Sequence, residues 1–204
     1  MKNKLKWPLK REKTALLVID MQNDFVLENA IMEVKEAKKQ VPKIKSLIAK
    51  CRELEIPVIY TIHETDPTLC ALEIVAFPHL KNAGMRKGTK GVEVIDDLKP
   101  NPDEKVVRKH RFSAFYQTDL ELFIRNIKAN SAIDTLIICG TVTHICCEST
   151  ARDAFYRDFK VVFGTDICSV DCPDIQAATI KNMEIFGSNL DCATILKALE
   201  NGIG

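Results

Sequence analysis

The stretch Thr135–Phe155, TLIICGTVTHICCESTARDAF, constrains this chain more than any other. It opens with an apolar run, Leu136 to Cys139, short and β-prone enough for a buried strand. Gly140 breaks the run, and Cys146, Thr150 and Ala154 then recur at helical i, i+4 spacing. A strand passing through a glycine turn into a helix sets the first helical residues at the C-terminal edge of a sheet, where open α/β folds bind their ligands. A cysteine there faces free backbone N–H groups and the positive end of a helix dipole, both of which favour thiolate over thiol. Cys146 is on these grounds a candidate nucleophile.

Further apolar runs repeat the strand signal. Ala15–Ile19 ends in Asp20 and is apolar on both faces, as a central parallel strand is. Val58–Ile62, Lys105–Lys109 and Val161–Gly164 supply three more. Helices are expected over about Val41–Leu54, with Pro42 in the first turn, and after Thr118, whose spacing to Glu121 fits a capping box. Two more follow over Ile175–Phe186, with Gly187 as terminator, and Cys192–Leu199. The segment Thr65–Gly91 has no clear period, Val94–Leu98 reads as a short extended piece and Pro100–Asp103 as a turn. Strand–helix alternation over 204 residues predicts one α/β domain, three-layer αβα around a mostly parallel sheet, with residues 1–12 as a solvated basic arm.

A net charge of +1 argues against nucleic acid as partner, and no apolar run reaches membrane-spanning length. The start lacks the pattern of a secretory signal, so a cytoplasmic protein acting on a small molecule is expected. Eight cysteines, with no paired CxxC motifs, read mainly as buried thiols; a Cys172–Cys192 bridge stays open.

Parallel topology would bring Asp20, Lys109 and Cys146 to one sheet edge, each at the end of a different strand. Asp20 could take the thiol proton, and Lys109 could hold the carboxylate ionised. Taken singly, Asp20 reads equally as a turn residue, Lys109 as a surface lysine and Cys146 as core. Cys147 lies about 100° further round a helix and reads as a packed thiol.

The segments ALLVIDMQNDF, VVRKHRFSAFYQTDLE and CGTVTHICCESTARDAF resemble, in order and separation, the three signature blocks of the isochorismatase-like cysteine hydrolases. The likeness runs from about Lys13 onward. It implies a Rossmann-like fold and an Asp20–Lys109–Cys146 triad. It also implies a cis peptide between Val142 and Thr143, an oxyanion hole from the amides of Thr143 and Cys146, and Phe25 as a pocket wall. Nicotinamidases of the superfamily carry a D-x-H…H metal cluster, whereas here Thr61 stands in the Asp position, His63 follows, and the next histidine is His79. No metal or other cofactor is therefore expected, and the roles of His63 and of His144 stay open. Vinyl-ether hydrolysis is disfavoured because true isochorismatases lack the cysteine. The resemblance thus implies a metal-independent amidohydrolase, similar to N-carbamoylsarcosine amidase and ureido-group hydrolases, that forms a homodimer or larger homo-oligomer. A catalytically silent binding protein of the same fold, a nicotinamidase- or isochorismatase-type activity, and a redox protein using Cys146 and Cys147 are the alternatives.

Overall fold

The computed structural model describes residues 4–127 and 132–201. Six strands form one sheet: β1 (Thr14–Ile19), β2 (Val58–His63), β3 (Lys105–Lys109), β4 (Thr135–Thr141), β5 (Lys160–Ser169) and β6 (Gly187–Leu190). Their order is β3-β2-β1-β4-β5-β6, and every neighbouring pair is parallel. The order reverses between β1 and β4, which is the switch point at which such sheets open a ligand crevice.

Helices cover both faces, which is why β1 is apolar throughout. Leu16 and Val18 point into a core cluster shared with α2 (Lys35–Glu53) and α7 (Cys192–Asn201). Ala15, Leu17 and Ile19 point into a second cluster with α4 (Leu120–Asn126), α5 (Glu148–Phe155) and Met183 of α6 (Pro173–Phe186). Two short helices, α1 (Asn23–Val26) and α3 (Ala71–Ala76), lie in connections beyond the ends of β1 and β2. Among the described residues no helix is long and apolar enough to cross a membrane.

Gly140 allows β4 to lie against the end of β1. Its φ is 122°, and a Cβ there would sit 2.0 Å from the Ile19 carbonyl oxygen, so a side chain would push the two central strands apart.

Several expectations need correction. Helix α2 begins at Lys35, so Pro42 lies inside it. The missing N–H and ring clash cost about 3 kcal/mol, but Val41, Ile44, Leu47 and Ile48 on the same helix are all buried, at about 1.5–3 kcal/mol each. Burial wins. The helix start is set from far along the chain, because the Asp171 carboxylate accepts the Lys35 and Glu36 N–H groups at 3.2 and 3.0 Å. Gly187 opens strand β6 as well as ending α6. Thr118 accepts the Leu120 N–H at 3.3 Å, while Glu121 turns away to Arg125 and Arg157, so the capping box does not form. Only Val94 of the Val94–Leu98 piece is extended, in a bridge to Gln22; Asp96–Leu98 is a 3-10 turn. The described part of the basic arm is packed, with Leu9 in the core and Arg11 donating to the carbonyls of Leu199 and Glu200. All eight cysteines are free thiols, Cys172 and Cys192 included.

Candidate active site

Strand register brings the reactive groups together. Ile19 pairs with Thr61 and Gly140, and His63 pairs with Lys109, so β1, β2, β3 and β4 deliver their C-terminal residues to one edge. Asp20 ends β1 in the left-handed region, with φ 46°, held by its N–H to the Thr61 carbonyl at 3.2 Å. After β4 the chain makes a π-helical turn, Thr143–Cys147, before α5. The sequence pattern places Cys146 at an α-helix start, whereas it falls inside this wider i→i+5 turn, closed by the Cys147 N–H on the Val142 carbonyl, a form often found at functional sites.

Lys109 is the hub. Its ammonium lies 2.6 Å from Asp20 Oδ2, 3.5 Å from Cys146 Sγ and 3.4 Å from His63 Nδ1, and donates to the Arg111 carbonyl at 3.2 Å. Asp20 and Lys109 are fully buried and Cys146 is 3% exposed. Thr61 donates its hydroxyl proton to Asp20 Oδ1 at 2.6 Å. The carboxylate thus has a charge partner on one oxygen and a hydroxyl on the other. Gln22 fixes the adjoining β2 backbone by accepting the His63 N–H at 2.8 Å and donating to the His63 carbonyl at 2.9 Å.

The electrostatics differ from the helix-dipole expectation. Burial pushes the Cys146 thiol well above its usual range and the nearby Asp20 charge adds to this; Lys109 pulls the other way and loses. The resting group is therefore a thiol beside a carboxylate. Burial works against the Lys109 charge, but Asp20 and Cys146 together raise its pKa, so it stays an ammonium. Burial lowers the pKa of half-buried His144 against the opposing pull of Glu148. Cys147 is fully buried, its thiol raised by burial and by a hydrogen bond with Cys168, consistent with a packed thiol.

Two expected site features sit differently. The cis peptide is Thr141–Val142, one residue before the expected Val142–Thr143. Sheet pairing continues through Thr141, which faces Ser169, so the chain leaves β4 only there. Phe25 is packed in the cluster beneath α2, not in the cluster that contains Cys146. The aromatic ring near the site is Phe112, 6.2 Å from the His63 ring. Thr143 is fully buried, and its hydroxyl has no partner among the described residues.

Asp20, His63 and Cys146 are close enough, within 4.8 Å, to form a metal-ligand set. The Lys109 ammonium already contacts all three, so a cation would have to displace a charge held by a buried ion pair. The donor set therefore does not fit a resident metal.

Two contacts lay outside the reach of sequence patterns. Thr61 reads along the chain only as a missing ligand, yet it is Asp20's hydroxyl partner. Glu73 belongs to the aperiodic segment, yet its Oε1 lies 3.0 Å from His63 Nε2, with a side chain only 8% exposed.

Residues 14–196 match the model of the isochorismatase domain. The chain is 36% identical, over 85% of its length and 89% of the relative's, to an Arabidopsis thaliana protein described as a probable inactive nicotinamidase. It is 30% identical, over 93% of its length and 86% of the relative's, to the ureidoacrylate amidohydrolase of Rhizobium rhizogenes. Among solved structures, a cysteine hydrolase from Pseudomonas syringae pv. phaseolicola superposes with a TM-score of 0.90 at 29% identity, covering 97% of both chains.

Proposed function

From a chain that belongs to the isochorismatase family, we propose a cysteine hydrolase that cleaves a C–N bond in a small amide, carbamoyl or ureido compound. The observation that carries the reading is the shared ammonium of Lys109, in contact with both the carboxylate of Asp20 and the sulfur of Cys146. A thiol whose pKa burial has raised needs a base, and Asp20 lies within 4.8 Å of it.

Asp20 takes the Cys146 proton as sulfur attacks the substrate carbonyl, and Lys109 stabilises the charge at the thiolate. The tetrahedral oxyanion is held by backbone N–H groups of the Thr143–Cys146 turn. Asp20 returns the proton to the leaving nitrogen, which departs as ammonia or an amine and leaves a thioester. Asp20 then deprotonates a water that attacks the thioester; the carboxylic acid product leaves and the proton returns to the thiol. A carbamoyl substrate gives carbamate in place of the acid. No step needs a metal.

The amide and ureido chemistry is supported by the relative named as a ureidoacrylate amidohydrolase. A silent binding protein is the second reading, favoured by the 36% identical relative described as inactive. Ammonia release from a panel of small amides and ureas, compared between the wild type and Cys146→Ala, separates the two. Turnover that disappears in the variant supports the hydrolase, and no turnover with any compound supports the silent protein. We further propose a cytoplasmic homo-oligomer, its contacts made by the exposed Leu69, Leu72 and Val75.

A further inference from the structure

Glu73 is the acidic side chain beside the site that has unspent hydrogen-bonding capacity. It sits on α3, whose Leu72 and Val75 are 79% and 74% exposed, while the Glu73 side chain itself is turned inward. Its Oε2 is buried and has no hydrogen-bond partner among the described residues, and its Oε1 makes only an oblique contact with His63 Nε2. An unsatisfied buried carboxylate oxygen is costly, so it marks a position where a donor is missing.

The charges around it identify the missing group. Lys109 is paired with Asp20, and Arg108 with Glu64 at 2.9 Å. Arg111 is committed to the carbonyls of His110 and Leu69. Among the described residues, the charged or titratable side chain paired with Glu73 is His63. Its Nδ1 lies 3.4 Å from the Lys109 ammonium, which can only donate, so Nδ1 accepts and the ring proton is on Nε2. The His63 contact is made to Glu73 Oε1 alone, so Oε2 is the carboxylate oxygen left open to a further donor. Through His63 and Lys109, Glu73 is linked to the Cys146 sulfur by three side-chain contacts of 3.0, 3.4 and 3.5 Å, a span of small-molecule length.

We infer that Glu73 determines substrate class: its free carboxylate oxygen receives a cationic, hydrogen-bond-donating nitrogen on the substrate, remote from the scissile C–N bond. Resting on the amidase reading, this assigns the site to amides or ureas that carry an amino or guanidino group, and against those that carry a free carboxylate.

Three carboxamides of matched length test it: 3-aminopropanamide (cationic), butyramide (neutral) and succinamate (anionic). In the wild type, kcat/KM from ammonia release is expected to fall in that order. Glu73→Gln keeps the shape and removes the charge, and it should reduce the cation-to-anion ratio by on the order of 30-fold or more, mainly through KM. Glu73→Asp, which restores the charge, should recover part of the ratio. A wild type that prefers succinamate, or a ratio equal in wild type and Glu73→Gln, overturns the assignment while leaving the amidase reading intact. If none of the three releases ammonia, the amidase reading stands or falls on the wider panel of amides and ureas, and calorimetric binding of the same three compounds to the full Cys146→Ala chain decides about Glu73 alone. Tighter binding of 3-aminopropanamide than of succinamate, with the gap removed by Glu73→Gln, supports the inference; no gap overturns it.

Discussion

The Thr61 hydroxyl donates to Asp20 Oδ1 at 2.6 Å, from the β2 position paired with the last residue of β1. It fixes the carboxylate without adding a charge, while Lys109 supplies the charge on the other oxygen. Removing the hydroxyl in Thr61→Val leaves a buried carboxylate oxygen unpaired. Urea unfolding should show a loss of about 1.5–3 kcal/mol, and turnover should fall through kcat more than KM. A variant with wild-type stability and rate would show that Asp20 does not depend on Thr61.

The two adjacent cysteines should behave differently. Cys146→Ala is expected to abolish turnover, while Cys147→Ala keeps it, because the Lys109 ammonium contacts only the first and Cys147 is turned to Cys168. Asp20→Asn should slow catalysis by about 10²–10⁴-fold. Lys109→Met strands a buried carboxylate and should also cost about 3–5 kcal/mol in stability. An inactive Cys147→Ala beside an active Cys146→Ala would assign the nucleophile to the wrong thiol.

Stability should decline above about pH 8.5, where an unfolded thiol ionises. Burial pushes the Cys51 thiol up to about 12 and raises those of Cys139 and Cys147 well above their ordinary value. Between the unfolded and folded values the native chain holds more protons than the unfolded one, so unfolding becomes easier as pH rises, by about 1.4 kcal/mol per unit for each such thiol. Below that window their contribution is fully present. Urea midpoints at pH 7 and pH 10 check this, and Cys51→Ala should flatten the slope. Equal wild-type midpoints at the two pH values would contradict it.

Dialysis against a chelator should leave ammonia release unchanged, because the Lys109 ammonium already contacts the Asp20, His63 and Cys146 donors. Activity lost on dialysis and restored by zinc, iron or manganese would reopen His63 as a ligand, with Asp66 and His79.

Light scattering is expected to give at least twice the 23.0 kDa mass of one chain. Leu69, Leu72 and Val75 are half or more exposed around α3, a cost that a second copy could remove. Leu72→Glu together with Val75→Glu should then shift the mass toward the monomer. A wild type that scatters as a single chain at micromolar concentration would count against this contact.

The sheet was legible because its strands β1, β2 and β4 are buried on both faces. A continuous apolar run such as Ala15–Ile19 needs helices above and below, and that requirement alone implies parallel strands with their ends on one edge. Asp20 and Cys146 lie beyond the C-terminal ends of two such strands, and Lys109 ends the edge strand β3, whose Val106 and Arg108 are exposed, so singly each kept a bland reading and only their shared edge marked them as a set. Local pattern failed where the deciding partner is remote in sequence. The start of α2 depends on Asp171, the burial of Leu9 on elements near the other end of the chain, and the strand character of Gly187–Leu190 on pairing with β5. Phe25 and Phe112 are both aromatic and near signature blocks, and only packing assigns one to the core beneath α2 and the other to the neighbourhood of His63.

The sequence by itself determined which side chains reach one edge of the sheet, since apolar periodicity sets strand ends and strand ends set the edge. Tertiary structure alone decided their state. Whether Cys146 rests as thiol or thiolate depends on burial, on Asp20 and on Lys109 acting at contact distances across three strands, and the balance favours the thiol. Charge interactions fall with distance in space and strengthen with burial, and neither quantity is written along the chain.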